Sequence, residues 1–242
     1  MPRTVFRLTG NDRLEFLQNL VTNDVNGLKN GLVYAALLSP QGKYLADFFL
    51  VPDGDAILLD VDSQLAKGLG QRLNMYRLRA DVQIEVTDIT PSRGLGTTPT
   101  GAFADPRHPD MGWRAYDGRA SVDVDWDAIR ISHVIPETGI ELGPDSYILE
   151  VGFDRLHGVD FRKGCYVGQE VTARMKHKTE LRKGLVQVDI SGSAPVGSEI
   201  TRDGKTVGTL FTQSGEHALA YLRFDRAGAD MMAGEARITW AG

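Results

Sequence analysis

Cysteine is nearly missing from this chain, which has one, Cys165, in 242 residues. A single thiol excludes an intrachain disulfide and with it the disulfide-stapled secreted class. Long apolar runs are missing too: the longest, Leu32 to Leu38, has seven residues, far short of the roughly 18 that suggest a membrane-crossing helix. Met1-Pro2-Arg3 leads into a mixed polar segment without the apolar stretch of a secretory signal. No membrane partner is therefore expected, and the expected compartment is the cytoplasm. Positive charge is not in excess either. A net charge of −5 argues against a general nucleic-acid binder, which leaves a broad basic footprint. There is no H-E-x-x-H, no cysteine pair, no G-x-S-x-G and no P-loop, and the five histidines, His108, His133, His157, His177 and His217, are scattered. Gly94-Leu95-Gly96 lacks the spacing of a dinucleotide fingerprint. No metal site is expected from this chain alone, so an iron-sulfur cluster would need outside ligands.

What is present is an ordinary globular composition, 42% hydrophobic and 24% charged, enough for a substantial core in one to three domains. Val5 to Thr9 alternates like a strand, and Asn11 precedes a helix with Leu14, Leu17, Leu20 and Val21 on one face. Leu32 to Leu38 and Tyr44 to Val51 read as strands joined by the turn Ser39-Pro40-Gln41-Gly42, with a third strand at Ala56 to Val61. Ser63 is a candidate cap for a helix to about Arg77, and Val82 to Val86 returns as a strand. Residues 91 to 118 read as a loop-dominated connection, and the best helix after it is Trp126 to Val134. After Lys183 the pattern becomes short strands, Leu185 to Ile190, Glu199 to Arg202, Thr206 to Thr212 and Ala218 to Phe224, with Asp203-Gly204 a hairpin turn. The expectation is an α+β chain in three parts, 1–90, 91–180 and 181–242, the last a small β-barrel.

The lone cysteine lies in Lys163-Gly164-Cys165-Tyr166-Val167-Gly168-Gln169-Glu170. Glycines on both sides imply a sharp reversal or tight packing, and Gln169 reads as the start of a helix. Residues 162 to 183 carry seven basic side chains against two acidic ones, a local +5 in a chain of −5. Such surroundings favour thiolate. The bland alternatives are a small buried hydrophobe and a solvated run of charge.

This octapeptide resembles the signature of the YgfZ family, folate-binding relatives of the glycine-cleavage aminomethyltransferase (T-protein) and of mitochondrial iron-sulfur assembly factors. The stretch Phe16-Leu17-Gln18-Asn19-Leu20-Val21-Thr22-Asn23-Asp24-Val25, the turn Leu38-Ser39-Pro40-Gln41-Gly42-Lys43, Asp105-Pro106-Arg107 with Gly112-Trp113-Arg114, and Leu156-His157-Gly158-Val159-Asp160-Phe161 are similar to that family as well. The resemblance implies a T-protein-like fold with ferredoxin-like α+β halves and a C-terminal β-barrel. It also implies a tetrahydrofolate or related reduced folate as ligand, and iron-sulfur client enzymes or assembly proteins as partners.

A folate pocket needs amide or carboxylate partners for the pterin edge, apolar walls and cations for the glutamate tail. Asn23, Asp24 and Asp47 are candidates for the first, Tyr34, Phe48 and Tyr166 for the walls, and Lys163, Arg174 and Arg114 for the charges. Lys163, Cys165, Gly168 and Gln169 carry over from signature positions, with Cys165 the candidate reactive group beside the cavity. T-protein enzymes carry a double aspartate where this chain reads Ala46-Asp47, so aminomethyl transfer is expected to be weak or lost. The first expectation is a folate-binding accessory protein for assembly or repair of iron-sulfur enzymes. The alternatives are a folate-dependent one-carbon transferase and a noncatalytic module similar to the folate-binding domain of tRNA-modifying GTPases.

Overall fold

Alternation of side chains across a strand decides the architecture of the amino-terminal part. The computed structural model describes residues 2–178 and 180–242. β1 (Arg3–Thr9), α1 (Arg13–Gln18), β2 (Val33–Leu38), β3 (Tyr44–Asp53), β4 (Ala56–Asp62), α2 (Ser63–Arg77) and β5 (Gln83–Val86) follow in order. The strands form one antiparallel sheet, β2-β3-β4-β1-β5, which is the ferredoxin-like order with one further edge strand. On β3, Ala46, Phe48 and Leu50 point toward the helices and pack with Leu17, Leu69 and Leu73. Asp47 and Phe49 therefore point the other way. Ser63 opens α2 as expected, but the cap is Asp62, whose side chain accepts from the Gln64 amide at 2.9 Å. α1 is shorter than its spacing suggests: it stops at Gln18, Leu14 is exposed, and Leu20 and Val21 are buried beyond its end.

The chain divides into two compact units, Met1–Val124 with Phe153–Ala173, and Asp125–Gly152 with Arg174–Gly242. The first thus takes in the short sheet β6 (Ser92–Gly94), β7 (Phe103–Ala104) and β8 (Trp113–Ala115), which fell inside the expected loop. The division differs from the expected breaks after residues 90 and 180. Residues 125–152 group with the barrel, and the signature loop returns to the first unit.

In the second unit α3 (Trp126–Ser132) precedes a closed barrel of β9 (Lys183–Ser191), β10 (Glu199–Arg202), β11 (Lys205–Ser214), β12 (His217–Arg223), β13 (Met231–Ala233) and β14 (Ala236–Thr239). The Asp203-Gly204 turn has positive φ at both residues, +50° and +72°, as a two-residue hairpin requires. Closure depends on β13 and β14, short strands that the sequence reading did not mark, which pair with β10 and β9. One buried cation ties this unit together: Arg130 donates to Glu141 (3.1 Å), the Ile135 carbonyl (3.0 Å) and Thr212 (2.9 Å). Helix α4 (Gln169–Lys178) starts at the expected residue. Among the described residues no helix is long and apolar enough to cross a membrane.

Candidate functional site

Beyond the core, the second face of the first unit's sheet is built from charge. Asp47 accepts from the Tyr44 hydroxyl at 2.6 Å and the Tyr34 hydroxyl at 3.0 Å, so two phenols fix its carboxylate. Asp60, on the neighbouring strand, accepts from Arg3 (2.6 Å), Tyr116 (2.9 Å) and Arg114 (3.4 Å). Arg114 also donates to Asp105 at 3.0 Å, and Arg107 holds Asp105 through two parallel bonds of 3.0 and 2.8 Å. The guanidinium carbons of Arg114 and Arg107 lie 3.9 and 4.9 Å from the centre of the Phe49 ring, within cation–π reach.

Burial alone would raise the Asp105 carboxyl, yet Arg107 and then Arg114 hold it down at about 2. Burial, with the Asp47 charge behind it, pushes the Tyr34 phenol well above its ordinary range, and burial with Asp60 does the same to Tyr116. Three arginines thus pair with two carboxylates, Asp60 and Asp105, and the tyrosines stay protonated hydrogen-bond donors. A buried charge is tolerable only when paired and hydrogen-bonded in this way.

The signature loop lies on the same unit and is pinned at both ends. At one end the Lys163 ammonium donates to the Gln18 carbonyl (2.7 Å) and the Val21 carbonyl (2.5 Å), capping the chain where α1 runs out. Burial pulls its pKa down to about 8, against the opposing pull of Asp24 and Asp160. At the other end Gly168 has φ +84°, and a Cβ there would lie 2.7 Å from the Ser39 carbonyl oxygen and 3.1 Å from the Gly42 Cα. Gly42 answers in kind: at φ +73° its Cβ would lie 2.7 Å from the Cβ of Val171. The two family-like turns therefore coexist because their glycines pack backbone on backbone. Gly164 needs no such account, since a Cβ there meets nothing within 4 Å; the reversal expected at both glycines occurs at Gly168 alone. Between the pinned ends Tyr166 is buried, 5.2 Å from the Lys163 ammonium, and Cys165 is exposed.

The other expected residues have distinct placements. The Asn23 side-chain amide donates to the carbonyls of Tyr34 (2.8 Å) and His157 (2.7 Å), joining β2 to the Leu156–Phe161 segment. Asp24 caps a short 3₁₀ turn by accepting from the Asn26 amide at 3.0 Å. Burial pushes its carboxyl up, but the bonds from Asn26 outweigh it and the pKa falls. Gln169 is half-buried as the first residue of α4, and Arg174 is exposed on that helix among the residues of the second unit. Arg114, expected as a cation for an anionic tail, is buried in the carboxylate network instead. Phe48, named as a wall, belongs to the helix-side core, and Phe49 occupies the polar face in its place. Ala46 also faces the core, so only Asp47 of the pair presents a polar group to the charged face. Asp60, Arg107 and Tyr116 were not named as site residues. Asp60 was discoverable as a lone acid inside the apolar run Ala56 to Val61, a position that demands partners.

The description of the family model that matches residues 182–241 is "CAF17, C-terminal beta-barrel domain". The aminomethyltransferase T of the Bartonella henselae glycine cleavage system superposes with a TM-score of 0.76 over 98% of this chain and 81% of its own, at 13% identity, a likeness of fold. Among curated proteins, the mitochondrial iron-sulfur cluster assembly factor IBA57 homolog of Mycosarcoma maydis is 32% identical over 81% of this chain and 58% of its own length. The mitochondrial IBA57 assembly factors of Mus musculus and Homo sapiens are 30% and 31% identical, each over 91% of this chain and 75% of their own length. This chain thus spans less than two thirds of the fungal relative and three quarters of the mammalian ones. The relatives are mitochondrial by name, which overturns the cytoplasmic expectation. A single thiol speaks against the disulfide-stapled secreted class without separating one reducing compartment from another. With a T-type fold, a CAF17-type barrel and two mammalian relatives matched over nearly the whole chain, this protein belongs to the IBA57 family of iron-sulfur cluster assembly factors.

Proposed function

We propose that this chain is a YgfZ-type accessory protein that binds a reduced folate and supports the assembly or repair of iron-sulfur enzymes, with Cys165 as the group that meets the cluster or its carrier. The observation that carries the reading is the signature loop. Its ends are fixed by Lys163 and by the Gly42–Gly168 contact, and its middle leaves one thiol exposed. A loop that served packing alone would bury that side chain, as most cysteines are buried. The names of the mammalian relatives supply the cargo, and the T-type fold and Asp47 supply the folate part of the reading. Asp47, held by two phenols on the polar face, is the carboxylate we assign to the amino and amide edge of the pterin.

Two measurements test this. Calorimetric titration with tetrahydrofolate gives saturable binding, weakened about tenfold or more by Asp47→Asn if that carboxylate holds the ring edge through charge-assisted bonds; absence of both heat and thermal protection at millimolar folate refutes the ligand. In cells deprived of the native protein, Cys165→Ala restores folded protein but not iron-sulfur enzyme activity; full restoration by that variant refutes the thiol's role. Methylene-tetrahydrofolate formation from an aminomethyl donor, abolished by Asp47→Asn, would instead establish the transferase alternative.

A further inference from the structure

A second surface of the first unit is unexplained by the site above. From Ser63 to Ala80, α2 and its exit carry four basic residues and no acidic one in a chain of net charge −5. One of the four, Arg77, is half-buried and donates to the Val82 carbonyl at 3.2 Å, so it serves the fold. The other three, Lys67, Arg72 and Arg79, are exposed, and among the described residues none makes an ion pair with a carboxylate. Among them stand two large apolar side chains in solvent, Met75 at 62% and Leu78 at 89% exposure. Leu78 takes φ +45°, a conformation that is costly for a branched residue, and it ends the helix with its side chain outward. Lys67, Met75 and Arg72 fall within an arc of about 140° on the exposed part of α2 over about 12 Å, away from the buried Leu69 and Leu73.

We propose that this face of α2 docks an acidic protein surface, one that presents carboxylates around a small apolar patch. Charge complementarity argues for it: unpaired guanidinium groups are forks for carboxylates, and the two apolar residues supply the desolvated centre that charge alone lacks. Met75 is suited to partners of differing shape because its unbranched thioether repacks readily. A bilayer is the poorer occupant, since an interfacial helix buries a continuous apolar face and this one offers two apolar residues at one end. The choice of a protein partner rests on the assembly reading; the surface itself does not.

The test uses the full chain and a fluorescein-labelled helical peptide with glutamates flanking a leucine seam, alongside phosphatidylcholine vesicles containing phosphatidylglycerol. Peptide binding is expected, falling with added salt and weakened about tenfold or more by Arg72→Glu with Arg79→Glu. Met75→Ser with Leu78→Ser weakens it too, and Lys205→Glu with Arg237→Glu on the barrel leaves it unchanged. Equal loss from the barrel variant, or no loss from the α2 variants, overturns the proposal as nonspecific attraction, and vesicle binding without peptide binding overturns it in favour of a membrane. In cells, the Arg72→Glu, Arg79→Glu protein is expected to support iron-sulfur enzymes poorly while matching wild type in thermal stability and folate affinity. Full support by that protein overturns the proposal. If wild type itself gives no support, the assembly reading fails, and the peptide result still decides the surface.

Discussion

In the cluster around Asp60 and Asp105, both carboxylates are buried and each accepts from at least two partners, with Arg114 bridging the pair. The loop from Lys163 to Gly168 buries its ammonium and Tyr166 but leaves its thiol in solvent. Both regions sit on one unit, and both are made of groups that are expensive to bury. In the first the charges satisfy one another, so their chemistry is spent on holding the sheet to the β6-β8-β7 segment. In the second the bonds go to the backbone at the ends, and the middle keeps its chemistry available. Residue type alone therefore does not mark a site; what matters is whether a polar group's capacity is consumed inside the fold.

The comparison breaks most visibly if the buried network is opened. Asp105→Ala leaves Arg107 and Arg114 without their shared carboxylate, and it is expected to cost about 3–5 kcal/mol in urea unfolding, the range for removing one partner of a buried pair. Replacing Asp105 by Leu and Arg107 by Met together should cost less than Asp105→Ala alone, because the only cation then short of a partner is Arg114, which keeps Asp60. A double variant as damaged as the single one would mean that shape, and not charge, holds this region.

The same carboxylate sharpens the comparison through pH. Its folded pKa, about 2, lies below the ordinary unfolded value of about 3.9. The folded state thus binds fewer protons, and stability rises with pH across this window. The contribution, on the order of 2 kcal/mol, is fully present above about pH 4 and is lost as pH falls through about 2. Asp105→Asn should lower stability at neutral pH and flatten this part of the acid limb. An unchanged limb would assign acid unfolding to other carboxylates.

Much of this was legible in the sequence. The β1–α1–β2–β3–β4–α2–β5 order, the α4 start and four of the six barrel strands followed from periodicity and turn residues. The two closing strands and the β6-β8-β7 sheet are short and lack a turn pair as strong as Asp203-Gly204, which marked β10 although it too has only four residues. At the site, Asp47, Arg114, Asn23 and Lys163 were named from the sequence, but their pairings were not: Tyr34, named as a wall, holds Asp47 through its hydroxyl. Partnership of Asp60 with Arg114 spans 54 positions, a distance that no local pattern encodes. Gly168 was legible as a special glycine, whereas its contact with Gly42 required the two turns to be seen together.

A smaller effect tests that contact. Gly168→Ala places a Cβ against the Ser39 carbonyl at positive φ and is expected to cost about 1–3 kcal/mol, as is Gly42→Ala. The double variant should depart from additivity, since the two residues touch. Gly164→Ala, with open space around it, should stay within about 0.5 kcal/mol. A large cost at Gly164 would show that the first glycine of the signature is also held by packing.

The smallest expected effect on stability belongs to Cys165, and it is the one that separates the two regions most cleanly. Its side chain is exposed, so Cys165→Ala removes no buried volume and should change the urea midpoint by no more than about 0.5 kcal/mol equivalent. A buried cysteine of similar size would cost about 1 kcal/mol or more through the cavity left behind. Access predicts a second readout: iodoacetamide should label Cys165 in the native protein as readily as in the urea-unfolded chain, with no lag for opening. Lys163→Met, which removes the ammonium and its two carbonyl contacts at one end of the loop, should loosen the backbone around the thiol. Hydrogen exchange should then quicken at Gly164 to Val167 while labelling stays fast. Slow native labelling that accelerates only with denaturant would place the thiol with the buried network, as a packing group, and would remove the contrast on which the loop's role rests.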